Sequence, residues 1–442
     1  MKITDVISSR TTHVIFAMIA SSPFFASAAM ALPTQEAPAP LVNSAKDLLR
    51  DIEPLKNDLA RYQYLVGQVP RLTDQSRIVG QQLVATVENQ LGLYDEAVRD
   101  FPFDNRVPIG RNNLNSPGSE LPRSAVWVAQ NAADVITEMA QNRQLVMINE
   151  VHHDAHTREL TLELLPRLRK LGFTYFAAEA LDEKDTQLMQ RGYPIIDDSP
   201  YLHEPIYGEI IREAIRLGFT IVPYEAPGDT TAEREKGQAE NLYNRVFAHD
   251  PHARLFVHSG YAHIDKVEGE LGAGVLPMAA QLRRLSGIDP LSIDQTQLRD
   301  IGGRGRDDEY HQLMVDFHPD RPSVLVRRED RKIWTTNHYM HDVSVLLPPM
   351  GHRRRPSWLS LDGKRDTHLV STSMCSNTLP CLIEAHYANE ADNATAADRV
   401  VLTTADSANS LYLGPGDYRL TAVNAEGRRL SESKLHIDAK TP

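Results

Sequence analysis

The stretch LVMINEVHHDAHTRELTLELLPRLRKLGFTYFAAEA, residues 145–180, decides the fold. It begins with an apolar run ending on Glu150, continues through a helical segment to Leu171, and closes on a second apolar run ending on Glu179. Gly172 stands where a helix C-cap is expected, just before the second run. Strand, helix and strand at this spacing predict a βαβ unit, whose two strands lie parallel and whose crossover is right-handed. The pattern recurs downstream: a helix near 207–217 stopped by Gly218, FTIVPYEA (219–226), a helix near 231–248, and LFVHSGYAH (255–263). Upstream, a helix near 124–141 leads into the first strand. Residues 124–350 are therefore expected to form an α/β domain, a mostly parallel sheet flanked by helices.

The strand candidates finish on reactive side chains: Glu150, Glu179, Glu225, and His258 with His263. In open parallel sheets the carboxyl ends of the strands border the ligand crevice, so these groups should converge. Around the first strand end lies NEVHHDAH, 149–156. If a helix starts near His153, His152 and His156 sit one turn apart, half of a zinc-type spacing. Asp154 then reads as a helix cap, His153 and His156 as solvated, and His152 as the residue at the crevice.

Outward from this core the chain changes character. In residues 1–31, Lys2 and Arg10 precede VIFAMIASSPFFASAAMA, with small residues at Ala26 and Ala28 or Ala29 and Ala31, the pattern of a secretory signal peptide. A periplasmic or secreted location follows, and no other segment is apolar enough to span a bilayer. Residues 32–123 read as a proline-rich leader, a helical extension (runs near 43–66 and 74–100) and a Pro/Gly/Asn-dense linker from 102. Within the extension LGLYDEAVRDF (91–101) is similar to one tetratricopeptide helix, but no second copy follows, so a helical cap on the main domain is expected. Residues 356–442 break into short strands with turns, predicting a small β-sandwich that stabilises the protein or binds a protein partner. Cys375 and Cys381 in CSNTLPC are expected to form a disulfide in an oxidising compartment. The net charge of −12 leaves no broad basic face for nucleic acid. The short run Arg353 to Arg355 reads as a solvated linker.

The 149–180 segment resembles the opening of the erythromycin esterase, ChaN and TIKI superfamily. In that group a strand ends in Gly-Glu-x-x-His or Gly-x-x-His and a glutamate follows the next strand; Glu150, His152 and Glu179 match. GYAH (260–263) is similar to the second Gly-x-x-His of TIKI-like proteins, and REKGQAEN (234–241) to the Arg-Asp-x-x-Met-Ala-x-Asn helix of the esterases. The resemblance covers about 125–350. It implies active-site roles for Arg234 and His263. His152 fits the TIKI-type spacing and His153 the esterase spacing, so both stay candidates. Asn149 stands in place of the motif glycine, which implies a less close approach of substrate to the strand end, and Glu235 in place of aspartate.

Taken together, the expected activity is hydrolysis of an ester, amide or peptide bond in a small molecule or peptide. His152 or His153 would be the general base, Glu150 or Glu179 its orienting carboxylate, and Arg234 and His263 would stabilise the oxyanion; Glu225 joins them by its strand position. Two alternatives share the architecture. The resemblance implies either a divalent metal on His152, Glu179 and His263, or haem, with Tyr201, Tyr207, Tyr224, Tyr261 and histidines as ligands. The insert at 183–209 is placed as a lid or specificity loop over the crevice.

Overall fold

Eight strands join into one sheet: β1 (Trp127–Asn131), β2 (Leu145–Glu150), β3 (Tyr175–Ala178), β4 (Thr220–Val222), β5 (Leu255–Gly260), β6 (Leu291–Asp294), β7 (Ser323–Arg327) and β8 (Val343–Leu346). Their order is β1-β7-β8-β6-β2-β5-β3-β4. From β8 to β4 all neighbours run parallel, and only β7 opposes both of its partners. The computed structural model describes residues 44–439 apart from 56, 107–120, 180, 303–308, 352 and 405–408, so the expected signal peptide and leader lie outside it.

Both faces of the sheet are covered, which is why β2 and β5 are buried at every position and read as continuous apolar runs. On one face, Val146, Ile148, Phe176 and Phe256 pack under helices Ala132–Ala140, Glu159–Lys170 and Pro205–Arg216. On the other, Met147, Ala177 and Val257 pack under helices Thr231–Leu242 and Met278–Ser286. The helices that carry the chain from β2 to β3 and β4 therefore lie on one face, and those on the return through β5 to β6 lie on the other. Gly172 and Gly218 end their helices at φ +88° and +78°, conformations that glycine adopts without the Cβ penalty.

β2 and β5 are parallel neighbours with Glu150 opposite Gly260, but the helices that follow them leave for opposite faces of the sheet. This is the topological switch point, where an open α/β sheet leaves a crevice at its carboxyl edge.

Several expectations change. The helix expected over 124–141 is β1 followed by a helix only over Ala132–Ala140, because Trp127–Asn131 pairs antiparallel with β7. Asn131 then caps the helix, its side chain accepting from Asp134 N. The two long N-terminal runs are four shorter helices, Ala45–Ile52, Asp58–Gln68, Asp74–Gln90 and Tyr94–Asp100. Gly92 at φ +74° makes the last break.

The tail forms two antiparallel sheets. One is ordered β11-β10-β13-β14, with β10 Cys381–Tyr387, β11 Asp398–Leu402, β13 Gly416–Asn424 and β14 Arg429–Ile437; the other pairs β9 (Asp366–Val370) with β12 (Asn409–Leu413). Val370, Leu411 and Leu413 of the small sheet share a core with Ile383, Val400 and Leu420 of the large one, and Cys375 is disulfide-bonded to Cys381.

Leu382 and Val401 of this sandwich also share a core with Leu48, Leu59 and Leu83 of the helical extension. Arg399 ties all three regions together: Nη1 donates to Asp58 of the extension at 2.8 Å and to the His203 carbonyl of the α/β domain at 2.8 Å, and Nη2 to Glu384 at 2.6 Å. Arg353 is exposed as the solvated reading of that run expects, but the Arg355 side chain is only 6% exposed and is paired with Asp398. Charge neutralisation at the interface, not hydration, holds it there.

Candidate functional site

The strand ends do converge, and each of the seven catalytic candidates lies at or beside the switch point. Glu150 ends β2 fully buried. Its Oε1 accepts from His152 Nδ1 at 2.9 Å and from Arg158 Nη2 at 3.1 Å; its Oε2 accepts from Arg158 Nε and from His258 Nε2 at 3.2 Å. Burial alone would push this carboxyl up, but Arg158 and the hydrogen bonds from His152 and His258 outweigh it and hold Glu150 well below the usual carboxylate range. An ionised Glu150 can only accept, so His152 carries its proton on Nδ1 and presents the lone pair of Nε2. By the same logic His258 donates through Nε2 and accepts at Nδ1 from Thr161 Oγ1 at 3.0 Å, which makes it a brace.

Arg158 extends the network inward. Nη1 donates to Glu204 Oε2 at 2.8 Å, and Glu204 caps the Pro205–Arg216 helix by accepting from Ile206 N and Tyr207 N. Tyr94 of the helical extension donates to Glu204 Oε1 at 2.9 Å.

The outer half is built around Arg234, on the helix that follows β4. Its guanidinium donates to Glu179 Oε1 at 3.0 Å and Glu225 Oε1 at 2.8 Å, and Nη1 lies 3.2 Å from His263 Nε2. Glu179 Oε2 accepts from the Gly260 amide. Burial raises the Glu179 carboxyl, but His263, His152 and Arg234 together bring it down to about 2. His263 Nδ1 lies 2.6 Å from Glu235 Oε1, and the other oxygen of Glu235 accepts from Met278 N at 2.7 Å. Burial would lower the imidazole's pKa; Glu235 and Glu179 overcome that and raise it. Glu235, which stands in place of the motif aspartate, thus orients His263.

Backbone geometry tightens the arrangement. Gly260 has no side chain where one would meet the His152 ring and the Glu179 carboxylate, so glycine is required for the two to approach. Tyr261 follows at φ +42°, an uncommon conformation for a non-glycine residue, in the short turn that delivers His263.

The two histidine candidates separate in space. His152 joins the carboxylate network, its Nε2 accepting from Tyr201 Oη at 3.2 Å. His153 stacks on Phe101 of the helical extension, with ring centroids 3.6 Å apart, and faces Tyr261. His156 stacks on Trp358 and pairs with Glu159, so neither is solvated as expected, and residues 155–158 are a short 3-10 turn that separates His152 from His156. Asn149 turns away from the crevice: Nδ2 donates to the Tyr261 carbonyl and Asp294, and Oδ1 accepts from Gln295 N, lacing β2 to β6. The departure at Asn149 therefore braces the scaffold and does not stand in a substrate's path.

Arg158 and Glu204 complete the site without having been singled out, and His258, expected at its strand end, joins them as a brace. Arg158 sits in a run that reads as the charged face of a helix, and Glu204 as a residue before Pro205. Only their burial reveals them. Tyr201, from the expected insert, covers His152.

The divalent-metal set does not fit. His152 Nδ1 is committed to Glu150, both oxygens of Glu179 accept from other groups, and the Arg234 cation lies against His263 Nε2 and Glu179, where a second cation would be repelled. Among the described residues no group of three or more His, Cys, Asp or Glu side chains is disposed to hold a metal ion. Of the four tyrosines expected as haem ligands, Tyr207 Oη donates to the Glu179 carbonyl at 2.6 Å and Tyr224 Oη to the His258 carbonyl at 3.3 Å, so these two are struts between strand ends, while Tyr201 Oη lies 3.2 Å from His152 Nε2 and Tyr261 Oη 3.4 Å from His153 Nδ1.

No family model matches the chain, and no curated protein matches it. Among solved structures it is similar to the type III effector HopBA1, with 12% identity and a TM-score of 0.31 over 53% of this chain and 99% of that one. It is also similar to RRSP, a MARTX toxin effector domain from Vibrio vulnificus CMCP6, with 17% identity and a TM-score of 0.29 over 57% of this chain and 55% of that one. A structure described as bacterial protein toxins gives 18% identity and a TM-score of 0.29 over 50% and 47% of the two chains. Likenesses this distant leave the chemistry to be read from the site itself.

Proposed function

We propose that the protein is a hydrolase acting on an ester, amide or peptide bond of a small molecule or peptide, with His152 as general base. The observation that carries this reading is the Glu150–His152 pair: a buried carboxylate held ionised by Arg158 fixes the imidazole through Nδ1 and leaves Nε2 as the basic nitrogen, whose partner Tyr201 Oη gives way to the attacking water. In the reaction His152 Nε2 takes a proton from water as the oxygen attacks the carbonyl carbon. The carbonyl oxygen gains the charge and is stabilised by Arg234 and His263. On collapse His152 returns the proton to the leaving oxygen or nitrogen. Glu179 holds Arg234 in place from one side and Glu225 from the other.

The order of the motifs, Glu150 with His152, then Glu179, Arg234 and His263, is that of the erythromycin esterase, ChaN and TIKI superfamily, and supports assigning the chain there. The apolar stretch in residues 1–31 and the Cys375–Cys381 disulfide support a periplasmic or secreted location; among the described residues no helix is long and apolar enough to cross a membrane. Incubation of the purified protein with a panel of esters and peptides tests the activity. Cleavage that disappears in His152→Ala while the fold persists is the expected result; no cleavage across the panel removes the reading.

A further inference from the structure

We propose that Asn89, on the N-terminal helical extension, is a positioning residue for His152, so that the extension is a working wall of the site. Its role as such in turnover rests on the hydrolase reading above. Asn89 lies near the end of the Asp74–Gln90 helix with its side chain buried. Its Nδ2 donates to the His152 carbonyl at 3.0 Å, and its Oδ1 accepts from Ala155 N at 3.2 Å. One amide side chain therefore spans the turn 152–155 from both ends. The turn is closed by Asp154 N donating to the Val151 carbonyl at 2.9 Å, and the His152 carbonyl has a longer second donor in Arg158 Nη2 at 3.4 Å. Asn89 supplies the shorter bond to that carbonyl and a side-chain acceptor for Ala155 N, and because a buried unpaired group is costly the amide helps fix the turn's shape.

Neighbouring contacts converge on the same imidazole. Gln90 Nε2 donates to the Pro200 carbonyl at 2.9 Å, one residue before Tyr201, whose hydroxyl donates to His152 Nε2. The helix end thus holds His152 from its backbone side and, through the insert, from its ring side. A small cavity beside His152 has Thr86, Asn89 and Gln90 as one wall and Pro200 and Tyr201 as another. Because the imidazole must keep Nδ1 on Glu150 while Nε2 faces the reacting bond, a displacement of about 1 Å in the turn is enough to cost roughly 10²-fold in rate.

The test uses the full-length protein in four forms: unchanged, Asn89→Ala, Asn89→Asp and Tyr64→Phe. Asn89→Asp retains the acceptor for Ala155 N but loses the donor to His152. Tyr64→Phe removes a hydrogen bond internal to the extension, from Tyr64 Oη to Asp51 at 2.6 Å, as the control. Two readouts are taken on each: the ring-nitrogen NMR shifts of His152 in histidine-labelled protein, and kcat and KM on a cleaved panel substrate. Both Asn89 variants are expected to move the His152 nitrogen shifts and to lower kcat roughly 10- to 100-fold with KM changed little, while Tyr64→Phe leaves both readouts as they were. His152 shifts and kcat that stay put in folded Asn89→Asp overturn the proposal, as does an equal loss in Tyr64→Phe. If no panel substrate is cleaved the hydrolase reading fails alone, and the His152 shifts then decide whether Asn89 positions the ring.

Discussion

The inner and outer halves of the site use the same parts to different ends. Inside, Arg158 lies between Glu150 and Glu204, beside His152; outside, Arg234 lies between Glu179 and Glu225, beside His263. The inner arginine and both of its glutamates are each about 1% exposed, whereas the side chains of Arg234 and Glu225 are 17% and 27% exposed. A fully enclosed ion network cannot trade partners with a substrate; it can only hold its neighbours still. A network that reaches solvent can exchange a carboxylate for a developing oxyanion. If the proposed hydrolase reading holds, the exposure of Arg234 and Glu225, more than residue type, marks the outer half for chemistry, although Glu179 there is only 3% exposed.

The largest break in that division should come from inside. Arg158→Met leaves Glu150 and Glu204 buried without their cation, and the loss of one partner from such a pair costs about 3–5 kcal/mol; a loss of unfolding free energy of this size, read from a lowered urea midpoint, is expected, with activity lost alongside. His152→Ala should cost about 1–3 kcal/mol, less than Arg158→Met, because Glu150 loses one buried donor and keeps its cation, and should lower turnover by about 10²–10⁴-fold, the usual contribution of a general base. Arg234→Ala, in the outer half, should lower kcat by about 10²–10³-fold, as the loss of one oxyanion donor does, with little change in the midpoint. If instead Arg234→Ala unfolds the protein as Arg158→Met does, the two halves are alike and the division is wrong.

The smallest effect is on pH dependence. His263 has its folded pKa raised above the unfolded value, so its contribution to stability is full below about 6.5 and is lost as pH rises through the folded value. Glu179 runs the other way: its folded pKa of about 2 lies below the unfolded 4.5, so its contribution is present above 4.5 and is lost as pH falls toward 2. Melting temperature followed across pH should show both slopes, and Glu235→Gln should flatten the one on the alkaline side alone.

The architecture was legible where burial on two faces makes strands into uninterrupted apolar runs, as at 145–150 and 255–260. It was not legible at β1, where five residues are extended only because β7, almost two hundred residues on, pairs with them. Nor were β6, β7 and β8 singled out, although they are no shorter than β3 and β4. The outer half of the site could be read because Glu179, Glu225 and His263 follow strands. Of the inner half Glu150 and His152 could be read in the same way, but Arg158 and Glu204 could not, since nothing in the local sequence marks them until the Tyr94 helix and the insert close over them. The choice between His152 and His153 depended on the path of one turn, and that path is set by Asn89 and Phe101 from another region.

The position of β5 between β2 and β3 carries a consequence for how the protein comes into being. As the chain leaves the ribosome β2 and β3 appear early, yet they never pair with each other; each waits for β5, about a hundred residues after β2. Glu150 and Glu179 can face one another only after that late insertion, and closing so long a loop is slow compared with forming a local hairpin. A nascent chain that stops before residue 255 therefore holds Glu150, His152, Glu179, Glu225 and Arg234 without the strand that brings Glu179 beside Glu150, and in the proposed hydrolase activity would appear only with the completed sheet.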